Sequence, residues 1–106
     1  MTAYNVVRFR TKPGQEQVFE DRFRGLPRSF QGLRKFALIK TGEGTYCSIG
    51  EWESYDAMAA ARPLMITNLN DFRHILQEFG EGRGVTDAVS GDAIYEIHRE
   101  GGGSST

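Results

Sequence analysis

Cysteine is nearly absent from this chain. Cys47 is the only one, so no disulfide forms within it, and the expected compartment is the reducing cytoplasm. No apolar run approaches the roughly 20 residues that span a bilayer. The opening "MTAYNVVRFR" has neither the apolar core nor the cleavage site of a signal peptide, and no membrane partner is expected. An excess of charge of one sign is also missing: 13 Lys and Arg stand against 14 Asp and Glu, for a formal net charge of −1. The cations are scattered, so the electrostatic footprint of a nucleic-acid binder is lacking. No metal-ligand spacing, Walker sequence or dinucleotide fingerprint occurs, and no metal is expected. "GEGRG" has glycines, but it follows a helical pattern and lacks the strand-before, helix-after context of a phosphate loop. No repeat recurs at a solenoid period.

What is present suits one domain. The reading places it at residues 1–99, with 100–106, including "GGGSST", as a flexible Gly/Ser tail. A chain of 106 residues buries a smaller share of its surface than a larger one, which makes a dimer unsurprising. Residues 3–11 alternate Asn5, Val7, Phe9 against Tyr4, Val6, Arg8, Arg10 and predict a strand with two different faces. A helix is expected from about Pro13, with Val18, Phe19, Phe23 and Leu26 on its apolar face and Gly25 and Pro27 at its end. Leu33–Lys40 and Thr45–Trp52 read as strands joined by the hairpin signal "TGEGT". In the second of these, Tyr46, Ser48, Gly50 and Trp52 share a face. Ser54 is placed to cap the next helix, and Asp56 complements its dipole. Arg62-Pro63 is expected to interrupt that helix. A further segment would carry Met65, Leu69, Phe72, Ile75, Leu76 and Phe79 as its apolar stripe, with Gly80 at its end. Residues 81–91 read as a loop and 92–100, "DAIYEIHRE", as the last strand. The order β-α-β-β-α-β is the ferredoxin-like pattern of an α+β subunit. One sheet face takes the helices; apolar residues on the other call for a cover, and a second copy of the sheet supplies it most economically.

With those elements in place, the chain from Tyr4 to Ile97 resembles the antibiotic-biosynthesis-monooxygenase-like family of dimeric α+β barrels. The resemblance is carried by Asn5 on the opening strand, by "KPGQ" at the first helix, by "FQGLRKFALIK" into the second strand, by the hairpin, and by "GEWES" at the strand–helix junction. It implies a homodimer whose two sheets form a barrel, and a pocket between helices and sheet in each subunit. Members include cofactor-free oxygenases of quinols and polyketide-type aromatics, and haem degraders. The cofactor-free chemistry needs only a positioned phenol, hydrogen bonds that favour its anion, and exclusion of water. The expected function is therefore a cofactor-independent monooxygenase-like activity on a small aromatic, quinol or polyketide-type molecule, with no cofactor. The alternatives are a non-catalytic small-molecule-binding or stress-associated dimer, and a disfavoured haem-binding relative.

Candidate site residues follow from that resemblance and from parity. Trp52 is either a pocket wall that stacks on an aromatic ligand or a packing residue that closes the helix on the sheet. Asn5, an amide on an apolar strand face, needs hydrogen-bond partners. These two are the catalytic candidates. Ser48, Asn68, Met58, Leu38 and Tyr55 are the ligand-binding candidates. Ser48 stands where some of the oxygenases have an Asn, Leu38 where a His can occur, and Met58 where a Tyr can follow, with Tyr55 three residues away; the polar donors are thinned out. Asn68 lies within the apolar stripe, either as a pocket donor or as a cap. The haem degraders carry a His on this helical segment. At about 100° per residue, however, His74 falls near 200° from Phe72, on the solvent side. Tyr46 and Tyr95 are expected in core or interface, His98 at the surface, and Cys47 as a buried inert thiol. Arg8 and Arg10 are expected to meet acids across the dimer barrel.

Overall fold

The computed structural model describes residues 1–27, 29–80, 82 and 84–98; the expected tail at 100–106 lies outside them. Alternation in the first segment becomes β1 (Ala3–Arg10), followed by α1 (Glu16–Arg24), β2 (Leu33–Gly42), β3 (Thr45–Trp52), α2 (Tyr55–Asn70), a single 3₁₀ turn at Arg73–Ile75, and β4 (Thr86–Asp92). The strands form one sheet in the order β2-β3-β1-β4, and every neighbouring pair is antiparallel. This is the ferredoxin-like α+β fold.

Local chemistry sets the boundaries. Pro13 does not begin the helix: Pro13 and Gly14 are the middle of a turn closed by Gln15 N–H donating to the Lys12 carbonyl at 3.0 Å. Gly14 sits at φ +79°, where a type II turn needs glycine. Val18 is 40% exposed, so the apolar face of α1 rests on Phe19 and Phe23. The hairpin turns on Glu43 and Gly44, with Gly44 at φ +72°. Ser54 is extended at φ −160°, and its hydroxyl accepts from Ala57 N–H at 3.0 Å, capping α2 as expected.

Three expectations fail. Arg62-Pro63 does not interrupt α2, which runs unbroken through Pro63. Proline in a helix interior costs about 3 kcal/mol; buried Met58 and Ala61 before it and half-buried Met65 and Leu69 after it hold both halves in place. The second apolar stripe is not a continuous helix. The helix ends at Asn70, and Phe72, Ile75 and Leu76 are buried from the 3₁₀ turn and from a bridge of Leu76 to Thr11. Phe79 instead packs under the Arg10 guanidinium, 4.7 Å from its centroid. The last strand lies at Thr86–Asp92, inside the expected loop, and 93–98 lie beyond the sheet. There Ile94 is 95% exposed.

Two clusters fill the helix-covered side. Phe9, Phe19, Phe23, Tyr46, Phe72, Ile75 and Leu76 make one. Trp52, Met58 and Ala61 make the other, with Phe30, Leu33, Ala57 and Met65 against it. The uncovered sheet face carries Val6, Ala37, Ile39, Ile49 and Val89, aligned across the strands by register. On that face Arg8 pairs with Asp87 of its own chain at 2.9 Å, and Arg10 donates from Nη2 to the Glu78 carbonyl at 3.2 Å, while its buried Nε has no partner among the described residues. No helix among the described residues is long and apolar enough to cross a membrane.

Candidate ligand cavity between helices and sheet

Strand register stacks the helix-facing side chains in four rows. Lys40–Tyr46–Phe9–Thr86 is the first, Leu38–Ser48–Val7–Ala88 the second, Phe36–Gly50–Asn5–Ser90 the third and Leu33–Trp52–Ala3–Asp92 the fourth. The outer rows carry Tyr46 and Phe9 at one end and Trp52 at the other. The two middle rows place Ser48, Ala88, Gly50 and Ser90 under the helices, and these cannot fill the space. The result is a cavity of about 400 Å³, within the range of small-molecule sites, roughly 300–1,000 Å³. Its floor is the middle rows. Trp52, Phe30 and Leu33 close one end, Phe9 and Phe72 the other, and Met58, Arg62, Met65 and Leu69 of α2 form the roof.

Trp52 and Asn5 are brought together. The indole N–H donates to Asn5 Oδ1 at 2.9 Å, which answers the demand of a tryptophan that is only 1% exposed. The bond passes over Gly50. A Cβ there would stand 2.6 Å from Asn5 Oδ1 and 2.9 Å from Trp52 Nε1, so glycine is the residue that lets the indole fold back along its strand. With its oxygen occupied, Asn5 leaves Nδ2 with no partner among the described residues, beside the cavity. Ser48, 5% exposed, also lines the cavity, and its hydroxyl has no partner among the described residues. Two neutral donors, Asn5 Nδ2 and Ser48 Oγ, thus face a largely apolar cavity that Thr86 and Ser90 also line.

The remaining candidates divide. Met58 is a fully buried part of the roof. Asn68 reaches the cavity, but its Nδ2 donates to the Pro27 carbonyl at 3.1 Å and ties α2 to the loop after α1. Leu38 lies elsewhere, in an open groove between α1 and β2 lined also by Glu20, Phe23, Lys40 and Tyr46. In that groove the Tyr46 hydroxyl donates to Glu20 at 2.7 Å. The bond, with the charge of Lys40, holds the Glu20 carboxyl below its ordinary value, while burial and the carboxylate push the Tyr46 phenol up. Tyr55 is outside the cavity too. It is 37% exposed at the mouth, where its hydroxyl accepts from Arg62 Nη2 at 3.3 Å. Hydrogen bonding with Ser90 and Arg62, and the Arg62 charge, lower its phenol pKa. His74 is exposed on the 3₁₀ turn, as the wheel places it. Among the described residues no group of three or more His, Cys, Asp or Glu is placed to hold a metal.

Sequence reasoning missed three contributors. Gly50 carried a signal, since it alternates with Ser48 and Trp52 on one face. Arg62 was masked by the proline after it, which made it look like a helix end. Ser90 lay in an apparent loop.

The sequence profile for antibiotic biosynthesis monooxygenases matches residues 2–63, more than half of the chain, and the chain belongs to that family. No curated protein matches it by sequence. Among solved structures it is similar to Rv0793 from Mycobacterium tuberculosis, with a TM-score of 0.74 at 13% identity, covering 92% of this chain and 100% of that one. A variant of SnoaB, a cofactor-independent oxygenase from Streptomyces nogalater, superposes with a TM-score of 0.64 at 17% identity, covering 92% and 98% of the two chains. A variant of MhuD with two manganese protoporphyrin IX molecules per active site superposes with a TM-score of 0.66 at 17% identity, covering 92% and 99%. At such identities the likeness is one of fold.

Proposed function

We propose that this protein is a cofactor-independent monooxygenase of small aromatic, quinol or polyketide-type substrates. The observation that carries the reading is the largely apolar cavity beside Trp52, lined by the Asn5 amide and the Ser48 hydroxyl, whose donors have no partner among the described residues. Trp52 walls the aromatic ring. Asn5 Nδ2 and Ser48 Oγ hydrogen-bond the substrate oxygen and favour its anion, the form that reduces dioxygen. The substrate's CH2 ring carbon then becomes a carbonyl: one oxygen atom of dioxygen enters as C=O, and the other leaves as water with the two hydrogens that carbon gives up. The roof of α2 keeps bulk water from the intermediate. SnoaB, a cofactor-independent oxygenase of the same fold, supports the reading. Oxygen uptake with a panel of quinols and anthrone-like phenols tests it: turnover above the uncatalysed rate is expected, and Asn5→Leu reduces it about 10–100-fold.

A binding role without turnover is the second reading, favoured by Leu38 outside the cavity and by the lack, among the described residues, of a carboxylate or histidine on its wall. Saturable binding with no oxygen uptake across the panel would select it. In either case we infer a cytoplasmic homodimer, because Val6, Ala37, Ile39, Ile49 and Val89 leave an apolar sheet face that a second copy covers. Sedimentation showing a monomer at micromolar concentration would remove that inference.

A further inference from the structure

Among the described residues, Arg62 is the one charged residue lining the cavity. It stands on α2 four residues after Met58, three before Met65 and seven before Leu69, all roof residues. A helix stripe facing an apolar space normally carries an apolar side chain at that spacing. Among the described residues Arg62, like Arg10, Arg34 and Arg73, has no carboxylate partner, while Arg8, Arg22 and Arg24 are in ion pairs. Its Nη2 instead donates across the mouth to Ser90 Oγ at 3.2 Å and to the Tyr55 hydroxyl at 3.3 Å, two neutral acceptors at long range. Ser90 lies directly opposite Asn5 in the β1–β4 register, so the guanidinium is held over the strand next to the Asn5–Trp52 pair.

We propose that Arg62 is the anion-recognition residue of this cavity, and that the ligand presents an anionic oxygen, a phenolate or a carboxylate, at the mouth between α2 and β4. This rests on the proposed function and deepens it by stating the charge of the substrate. A charged acceptor displaces Ser90 and Tyr55 because hydrogen bonds to an ionised partner are roughly twice as strong as neutral ones. The titratable neighbours on this side are Tyr55, whose phenol pKa is lowered first by hydrogen bonding with Ser90 and then by Arg62, and Asp92, which opposes that shift. For an oxygenation that starts from a phenolate, the same charge brings the reactive form into the site.

Trp52 is the only tryptophan in the chain, so its emission reports on this cavity. Three probes of one ring system separate the possibilities: a hydroxylated anthraquinone, its methyl ether and the matching carboxylate. The hydroxylated probe and the carboxylate are expected to bind about tenfold or more tightly than the ether. Affinity for the hydroxylated probe rises as pH passes its own phenol pKa. Arg62→Gln brings both anions down to the level of the ether, and Arg62→Lys restores part of the difference. If only one of the two anions is preferred, that identifies the group the site accepts. Equal binding of all three, or an Arg62→Gln variant that keeps the preference, overturns the inference and leaves the proposed function standing. No change in emission with any probe overturns both.

Discussion

The two ends of the helix-covered sheet face are built from the same alternating strands and differ in kind. At the Phe9 end the space is filled: the Phe19 ring lies 4.6 Å from Tyr46, 5.5 Å from Phe9 and 5.4 Å from both Phe23 and Phe72, centroid to centroid. At the Trp52 end one large ring stands beside two rows that include Ser48, Ala88, Gly50 and Ser90, and a cavity remains. Stability is concentrated where the rows are bulky, and ligand chemistry where they are small. A site in this fold thus needs no special loop, only small side chains such as Ser48, Ala88, Gly50 and Ser90 in the rows between two bulky ends.

Breaking the filled end should have the largest effect on stability. Phe19→Ala is expected to cost about 3–5 kcal/mol, seen as a lower denaturant midpoint, because Phe19 is fully buried among four rings. Gly50→Ala acts at the other end. It should cost about 1–3 kcal/mol by overpacking, and it should also shift Trp52 emission by displacing the indole from Asn5; an unchanged spectrum would contradict the role given to Gly50. Ser54→Ala removes the α2 cap and should cost about 1 kcal/mol in denaturation, with the Trp52 spectrum retained.

The smallest effect is one of pH. Glu20 has a lowered folded pKa, caused first by the Tyr46 hydrogen bond and then by Lys40. Its contribution is present above the unfolded carboxylate value and lost as pH falls through the depressed folded one. Tyr46→Phe should therefore flatten the acid limb of a stability-against-pH curve while leaving cavity binding intact; an unaltered limb would contradict the assignment.

This division explains what could be read in advance. The first three strands, the Ser54 cap and the Trp52 face were legible because they depend on local alternation and capping. β4 was not: "TDAVSGD" has Val89 as its only large apolar residue, and its pairing is imposed by β1, whereas "AIYEI" alternates well and lies beyond the sheet. Asn5, Trp52, Ser48 and Met58, which strand parity and the resemblance singled out, all line the cavity. Leu38 shares the row of Ser48 but lies outward of it, in the α1–β2 groove, a distinction parity cannot make. Arg62 escaped because Pro63 argued against the helix that brings it to the cavity mouth.

The central claim is that the small middle rows form the ligand site. Trp52 emission titrated with an anthrone-like phenol tests this most directly, in the natural chain and in Ala88→Leu, which adds bulk to the second row at the edge strand. The account predicts saturable quenching in the natural chain and at least a tenfold weaker titration in the variant, with its melting temperature preserved. Identical titrations in the two proteins, or none in the natural one, would contradict it.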